Sequence, residues 1–198
     1  MAIIVIGGQS RNIGKTSVVS GLISAMPERR WTAIKITQCK HGSVGAEFCD
    51  CELAGRNLAV DEERDTSTGT DSSRYLAAGA VRSLWIRVHA ACLAEAMPSI
   101  RAEIDSSANV ILESNSVLGY LKPDLYATIL DPGLPDFKPS ALRYLNQADA
   151  ILIPAVAQPA WSGVSEDLIQ RIHRFWMEPP NFYSAEFLSF VEHRLDGL

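Results

Sequence analysis

"MAIIVIGGQSRNIGKTSVV", residues 1–19, is the stretch of the sequence from which the fold can be inferred. The apolar, mostly β-branched run Ile3–Ile6 predicts a buried strand that ends in two glycines. From Lys15 onward the apolar residues recur as on one face of a helix, and Pro27 ends that helix. A strand, a glycine-containing loop and a helix that opens with Gly-Lys-Thr form the context in which phosphate-binding loops occur.

A loop of this kind binds phosphate through backbone N–H groups at a helix N-terminus, where the helix dipole also favours negative charge. Its lysine, here Lys15, reaches the outer phosphates, and the next hydroxyl, here that of Thr16, binds Mg²⁺. The alternative is a strand-to-helix turn with a solvated lysine, but the order of elements favours a phosphate loop. The residues predicted to bind the nucleotide are Gly8, Ser10, Asn12, Ile13, Gly14, Lys15, Thr16 and Ser17.

The front of the loop departs from the usual motif G-x-x-x-x-G-K-[ST]. Gln9 stands where the motif has its first glycine, and Gly7 and Gly8 come just before it. We therefore expect the chain to make the turn one residue early, with Ser10 and Asn12 adding polar contacts.

Beyond the loop, segments with strand and helix patterns alternate along the chain. Strands are predicted over Trp31–Thr37, Ser83–Val88, Asn109–Ser114, Leu125–Asp131 and 149–155, and residues 38–70 are predicted to form a long loop. Helices are predicted over 71–81, 93–104 (kinked or split at Pro98), 139–148 and 165–177, with a short helix at the C-terminus. This alternation predicts an α/β protein, a three-layer sandwich with a mainly parallel sheet, as one domain over residues 1–198.

Length and composition narrow the class of protein. The chain has 198 residues, 47% of them apolar and 21% charged, with a net charge of −5. A chain of this length buries a large core without disulfides, and the negative charge argues against nucleic acid or an anionic membrane as partner. The run Ala2–Ile6 is too short for a signal peptide and no segment approaches a membrane span, so we expect a cytoplasmic location.

A metal-bound triphosphate also needs an acidic side chain near the carboxyl ends of the strands. Glu113 ends an apolar strand and is a natural partner for Mg²⁺ or its water shell; the alternative is a solvated glutamate. Asp65 and Asp71 lie in the polar stretch 63–75, where each is either a second Mg²⁺ ligand or a helix cap. Lys35 lies in an apolar strand, where an amine is costly unless it reaches an anion, so we expect it near the phosphates.

Four segments resemble the SIMIBI class of P-loop NTPases, and most of all the molybdopterin-guanine dinucleotide biosynthesis protein B (MobB) family. They are GGQSRNIGKTSVVSGLI (7–23), AIKITQCKHG (33–42), GTDSSRYLAAGA (69–80) and VILESNS (110–116). In that family a P-loop is followed by a strand ending in I-K-H, a G-K-D-[ST]-x-R…A-G-A segment and a strand ending in V-E-G. By position, the resemblance implies catalytic roles for Lys15, Lys35, Asp71 and Glu113, metal binding by Thr16 and Glu113, and a nucleotide contact by Arg74.

The resemblance implies Mg²⁺-dependent binding and slow hydrolysis of ATP or GTP in support of molybdenum-cofactor assembly, with a cofactor-biosynthesis enzyme as partner and a homodimer. The segment at Gly69 lacks the family lysine, and Ser114 replaces the family glycine after the acid.

Dethiobiotin synthetase, of the same class, resembles this chain in its P-loop and strand-end glutamate. An ATP-dependent ligase or phosphotransferase is therefore an alternative, and a non-enzymatic nucleotide-gated adaptor is another. The guanine-specifying N-K-x-D pattern is absent, so base preference stays open.

A segment at about 38–64 looks like an insertion relative to the family, and it contains four soft metal ligands. Cys39, His41, Cys49 and Cys51 are spaced as C-x-H-x₇-C-x-C. Such a set suits a tetrahedral Zn²⁺ ion, which would brace a glycine-containing insertion. Ordinary thiols and a redox-active pair of Cys49 and Cys51 are the alternatives.

Overall fold

One eight-stranded sheet is formed by the residues that the computed structural model describes, which are 1–39, 53, 56–135, 137–154, 161, 164–177 and 182–197. Its strands are β1 (Ile3–Gly8), β2 (Trp31–Cys39), β3 (Leu58–Glu62), β4 (Arg82–His89), β5 (Asn109–Glu113), β6 (Leu125–Ile129), β7 (Ala150–Pro154) and β8 (His173–Met177). They lie in the order β3-β4-β2-β5-β1-β6-β7-β8. All neighbours pair in parallel except β3, which is antiparallel to β4.

Helices pack on both faces of this sheet. They are α1 (Lys15–Ala25), α2 (Asp71–Ala77), α3 (Leu93–Asp105), α4 (Pro139–Tyr144), α5 (Glu166–Arg171) and α6 (Ala185–Asp196). Because side chains alternate along a strand, β1 sends Ile4 and Ile6 into the core that α1 and α6 cover, and Val5 into the core beneath α3. The predicted three-layer α/β sandwich with a mainly parallel sheet is confirmed. Among the described residues, none of the helices combines the length and apolar character that crossing a bilayer requires.

The sheet order brings the chemically interesting strand ends together. β5 lies between β2 and β1, so that Glu113 pairs in register with Lys35 on one side and with Ile6 on the other. On the far side of β1, Gly8 pairs with Ile129 of β6. Because the strands are parallel, all these residues lie at the same carboxyl edge of the sheet, where α/β proteins place their sites.

The prediction of one helix over 165–177 is wrong. The helix α5 ends at Arg171, and His173–Met177 form the edge strand β8 beside β7. In β8 the inward Phe175 and Met177 alternate with the exposed Arg174 and Trp176. A short segment fits both the helical and the two-residue period, and pairing with β7 decides between them.

The loop predicted over 38–70 contains regular structure. β2 extends to Cys39, and Leu58–Glu62 form β3 against β4. β3 is an exposed edge strand with little apolar patterning, so its conformation depends on a partner some 25 residues further along the chain. Thr70 caps α2 by accepting a hydrogen bond from the N–H of Ser73 at 3.2 Å.

Pro98 does not split α3, which is one helix over Leu93–Asp105. The proline lies on the exposed side, opposite the buried Met97 and Ile100. A proline removes one backbone hydrogen bond, and the carbonyl left without it, that of Ala94, is also on the exposed side, where water can hydrate it.

Candidate functional site

The loop between β1 and α1 is shaped by glycines at both ends. A Cβ on Gly7 would lie 2.3 Å from Asn115 Oδ1, and one on Gly8 would lie 2.7 Å from the side chain of Ile13. Gly14, at the N-terminus of α1, has a φ of 96°, a backbone angle that residues other than glycine rarely adopt. The first amides of α1 have no partner within the helix, so they are available to an anion in this loop. Gly7 and Gly8 are the last two residues of β1 and pair with β6, so the loop begins after them, at Gln9, and not one residue early as the sequence predicts.

Asn115 holds the end of β1 in place, a role that the sequence analysis missed. Its side-chain amide donates to the carbonyl of Gly8 and accepts from the N–H of Gly8, both at 2.9 Å. The amide therefore continues the pairing between β5 and β1 by one step beyond the strand. The only sequence signal is its position two residues after the strand-end acid.

Lys15 curls back into its own loop, where its Nζ donates to the carbonyl oxygen of Ser10 at 2.8 Å. Burial lowers the pKa of the Lys15 ammonium, and the nearby charge of Glu113 acts in the opposite direction. The loop therefore holds a partly desolvated cation, and interactions of such a cation with an anion are strong.

Glu113 lies at the centre of the site, with only 6% of its surface exposed. Its Oε2 accepts hydrogen bonds from Thr16 Oγ1, at 3.0 Å, and from the hydroxyl of Tyr75. Its Oε1 lies 3.5 Å from Lys35 Nζ. Residues from α1, α2, β2 and β5 thus meet at one carboxylate, and three of these four residues, all except Tyr75, were predicted as site residues.

The helix α2 forms one wall of the site. Its Asp71 accepts a hydrogen bond from Lys35 Nζ, and its Arg74 donates from Nη2 to Ser17 Oγ at 3.0 Å. Arg74 Nη1 also lies 3.9 Å from Asp71 Oδ1. Burial opposes ionisation of Asp71, but the hydrogen bond and charge of Lys35 outweigh it and lower the pKa of this carboxyl group. Lys35 is therefore held between two carboxylates, those of Asp71 and Glu113.

Tyr75 is the residue of α2 that sequence reasoning missed. It is fully buried, and its hydroxyl donates to Glu113. Burial, followed by the charge and hydrogen bond of Glu113, raises the pKa of the Tyr75 phenol well above its ordinary value. The phenol therefore stays protonated and remains a donor. Its spacing of four residues from Asp71, on the same helical face, was the available signal.

The structure does not bring Asp65 to this cluster. Asp65 is exposed, and its Oδ1 accepts from the N–H and the hydroxyl of Ser67, at 2.7 and 2.6 Å. These hydrogen bonds lower the pKa of the Asp65 carboxyl group. The carboxylate therefore stabilises the loop before α2, and its role in Mg²⁺ binding stays a prediction.

Of the four predicted zinc ligands, only Cys39 is among the described residues. It ends β2, is fully buried and is disulfide-bonded. A disulfide competes with zinc binding because a metal ligand must be a free thiolate. His41, Cys49 and Cys51 lie outside the described residues, so the zinc site stays a prediction. Cys92 is a free thiol.

Taken together, the parallel sheet, the loop between β1 and α1 and the acid at the end of the adjacent strand define a three-layer α/β fold of the P-loop NTPase type. A solved structure with this fold is LpxK from Aquifex aeolicus, described as an "apo" form in complex with ATP, at 14% identity and a TM-score of 0.50. That match covers 90% of this chain but 54% of the LpxK chain, so this chain spans about half of its length.

HypB from Helicobacter pylori, in complex with nickel, is also similar, at 14% identity and a TM-score of 0.49 over 99% of this chain and 88% of that chain. No family model matches the sequence, and no curated protein matches it. At these identities the likeness to LpxK shows the fold alone. The resemblance to the MobB family therefore stays a prediction.

Proposed function

We propose that this chain binds ATP or GTP together with Mg²⁺ at the β1–α1 loop and hydrolyses the nucleotide slowly. The observation that carries the proposal is the 3.0 Å contact between Thr16 Oγ1 and Glu113 Oε2, directly beside Lys15. A hydroxyl at the start of the helix and a strand-end carboxylate are the two protein groups that bind Mg²⁺ in a phosphate loop.

The residues present fit a Mg²⁺ ion. Thr16 and Glu113 are hard oxygen donors within hydrogen-bond distance of one another, and Mg²⁺ is usually held by one or two such groups together with phosphates and water. Bound there, the ion would neutralise phosphate charge. Thr16 and Glu113 would hold it, while Tyr75 keeps the carboxylate in its orientation.

The remaining charges suit a polyanion. Three cationic side chains, those of Lys15, Lys35 and Arg74, lie near two carboxylates, those of Asp71 and Glu113. Lys15 would neutralise the charge that develops on the outer phosphates in the transition state. Asp71 orients Lys35, and this pair together with Arg74 would form the wall that α2 presents to the nucleotide.

The biological role that we propose is the one implied by the resemblance of the four quoted segments to the MobB family, namely support of molybdenum-cofactor assembly together with a biosynthetic enzyme. Activity on a small carboxylate substrate would instead point to an ATP-dependent ligase or phosphotransferase. Tight binding without turnover would point to an adaptor.

The test is a calorimetric titration of the protein with ATP and with GTP, each with and without Mg²⁺, followed by a phosphate-release assay. We expect Mg²⁺-dependent binding of at least one nucleotide. Lys15→Ala should weaken binding more than a hundredfold, since a buried phosphate contact and its charge are lost. The exposed Lys122→Ala, which removes the same charge elsewhere, should bind like the wild type. Absence of binding by the wild type, or equal affinity in Lys15→Ala, would contradict the proposal.

A further inference from the structure

Gln9 is the residue that occupies the position of the first motif glycine, and it is fully buried. Its side-chain Nε2 donates to the carbonyl of Leu134 at 2.6 Å, and its Oε1 accepts from the N–H of Asp131 at 2.9 Å. One amide thus bridges both ends of the turn 131–134, which also has a backbone hydrogen bond from Leu134 to Asp131 at 3.1 Å.

The backbone of Gln9 makes two further contacts with the same part of the chain. Its N–H donates to the carbonyl of Ile129, and its carbonyl accepts from the N–H of Lys138, both at 2.9 Å. Three hydrogen bonds therefore connect Gln9 to the segment between β6 and α4, and a fourth connects it to Ile129 at the end of β6. We call the described residues of this segment, 130–135 and 137–138, the β6–α4 loop.

The β6–α4 loop lies beside the phosphate loop, at the edge of the sheet where a ligand would bind. In the sheet, β1 lies between β5 and β6, so the phosphate loop has Glu113 on one side and the β6–α4 loop on the other. Both flank the carboxyl edge of the sheet, where ligands of α/β proteins bind. The N–H of Asp131 and the carbonyl of Leu134 would each lose a hydrogen-bond partner if residue 9 were glycine.

We propose that Gln9 is a positioning residue for the nucleotide, which fastens the first turn of the phosphate loop to the β6–α4 loop and so holds the phosphate-binding backbone in place before the ligand arrives. The inference rests on the proposed function, because it assumes that the β1–α1 loop binds a nucleotide. Its consequence is that affinity depends on a neutral amide that does not itself touch phosphate. Preorganisation of this kind raises affinity by lowering the entropy cost of binding.

Two substitutions of Gln9 separate its hydrogen bonds from its volume. Gln9→Met keeps the length of the side chain but removes both side-chain hydrogen bonds, and Gln9→Gly restores the motif glycine. We expect each to weaken binding of Mg²⁺–ATP or Mg²⁺–GTP about tenfold, and to speed amide hydrogen exchange in the β6–α4 loop before nucleotide is added. Gln170→Met, an exposed position on α5, is the control and should change neither.

A second pair of variants tests the backbone contact without touching Gln9. Lys138 has φ −62° and ψ 134°, which proline adopts without strain. Lys138→Pro therefore removes the N–H that donates to Gln9, whereas Lys138→Ala removes only the side chain. We expect weaker nucleotide binding in Lys138→Pro than in Lys138→Ala. This pair also decides the matter if the Gln9 variants do not fold.

The possible results distinguish a failure of the inference about Gln9 from a failure of the proposed nucleotide binding. If the wild type binds nucleotide but the Gln9 variants and Lys138→Pro bind equally well, with faster exchange in the loop, the connection is only structural and the inference is overturned. Tighter binding by Gln9→Gly would overturn it too, since Gln9 would then be a poor replacement for glycine. If the wild type binds neither nucleotide, the proposed function fails and the inference fails with it.

Discussion

On the side of β1 that faces β5, the phosphate loop is surrounded by ionised groups, whereas on the side that faces β6 it is held by neutral amides and backbone groups. The first side has Glu113, Lys35 and Asp71, with Thr16 and Tyr75 donating to the carboxylate. The second has Gln9, which is joined to the β6–α4 loop by three hydrogen bonds and to the end of β6 by a fourth. We therefore expect Mg²⁺ and pH to affect the two sides of the phosphate loop differently.

Charged groups respond to metal and pH, because each of these changes the electrostatic energy of a carboxylate or an ammonium. Hydrogen bonds between neutral groups do not change their protonation between pH 3 and 8. We therefore expect the β5 side to decide how binding depends on Mg²⁺ and how stability depends on pH. Substitutions on the β6 side should change the affinity for nucleotide by the same factor whatever the Mg²⁺ concentration and the pH.

The largest expected effect is on metal dependence. Glu113→Gln keeps the shape of the side chain but removes the charge that would hold Mg²⁺, and it should cost up to about a hundredfold in affinity for Mg²⁺–nucleotide. Binding of nucleotide without metal should be unchanged or slightly tighter, because a negative charge near the phosphates is gone. Titrations with and without Mg²⁺ measure both. Equal losses in the two titrations would contradict a metal role for Glu113.

A smaller loss is expected when the donor to that carboxylate is removed. Tyr75→Phe deletes one hydrogen bond to a buried charged group, which is worth about 1.5 kcal/mol, and should weaken Mg²⁺-dependent binding roughly tenfold. The free energy of unfolding from a urea titration should fall by a similar amount. Tyr120→Phe, at an exposed position, is the matched control and should leave both unchanged. An equal loss of metal-free binding in Tyr75→Phe would show that the phenol has only a packing role.

The smallest effect concerns pH. The pKa of Asp71 is lowered in the folded protein, so its ionisation stabilises the fold above the unfolded-state pKa of about 3.9, and that contribution is lost as the pH falls through the folded-state value. The difference in unfolding free energy between wild type and Asp71→Asn should be about 0.5 kcal/mol near pH 6, because the pair is partly exposed, and should shrink below about pH 4.

The corresponding difference for Gln9→Met should be the same at every pH in this range, because no charge is involved. Urea unfolding from pH 3 to 7 measures both differences. A pH-dependent difference for Gln9→Met, or a constant one for Asp71→Asn, would contradict the contrast between the two sides of the loop.

The local features of this protein follow from its sequence. The apolar run Ile3–Ile6 and the helical pattern from Lys15 predict β1 and α1, and α1 begins and ends where the pattern does, at Lys15 and Ala25. The alternation of strands and helices predicts the three-layer fold. Lys15 and Thr16 could be named because a strand end, glycines and a helix start follow one another within a few residues, and Glu113 because it ends an apolar strand of its own.

Only the tertiary structure decided the rest, because the deciding contacts join residues that are far apart in the chain. The edge strand β3 has little apolar patterning and the segment of β8 fits both the helical and the two-residue period, so both strands form because β4 and β7 lie beside them. Tyr75 meets Glu113 across 38 positions, Asn115 meets Gly8 across 107, and Gln9 meets Leu134 across 125. A short-range pattern reports propensity and periodicity, whereas the partner of a buried polar group is set by which strands the sheet places side by side.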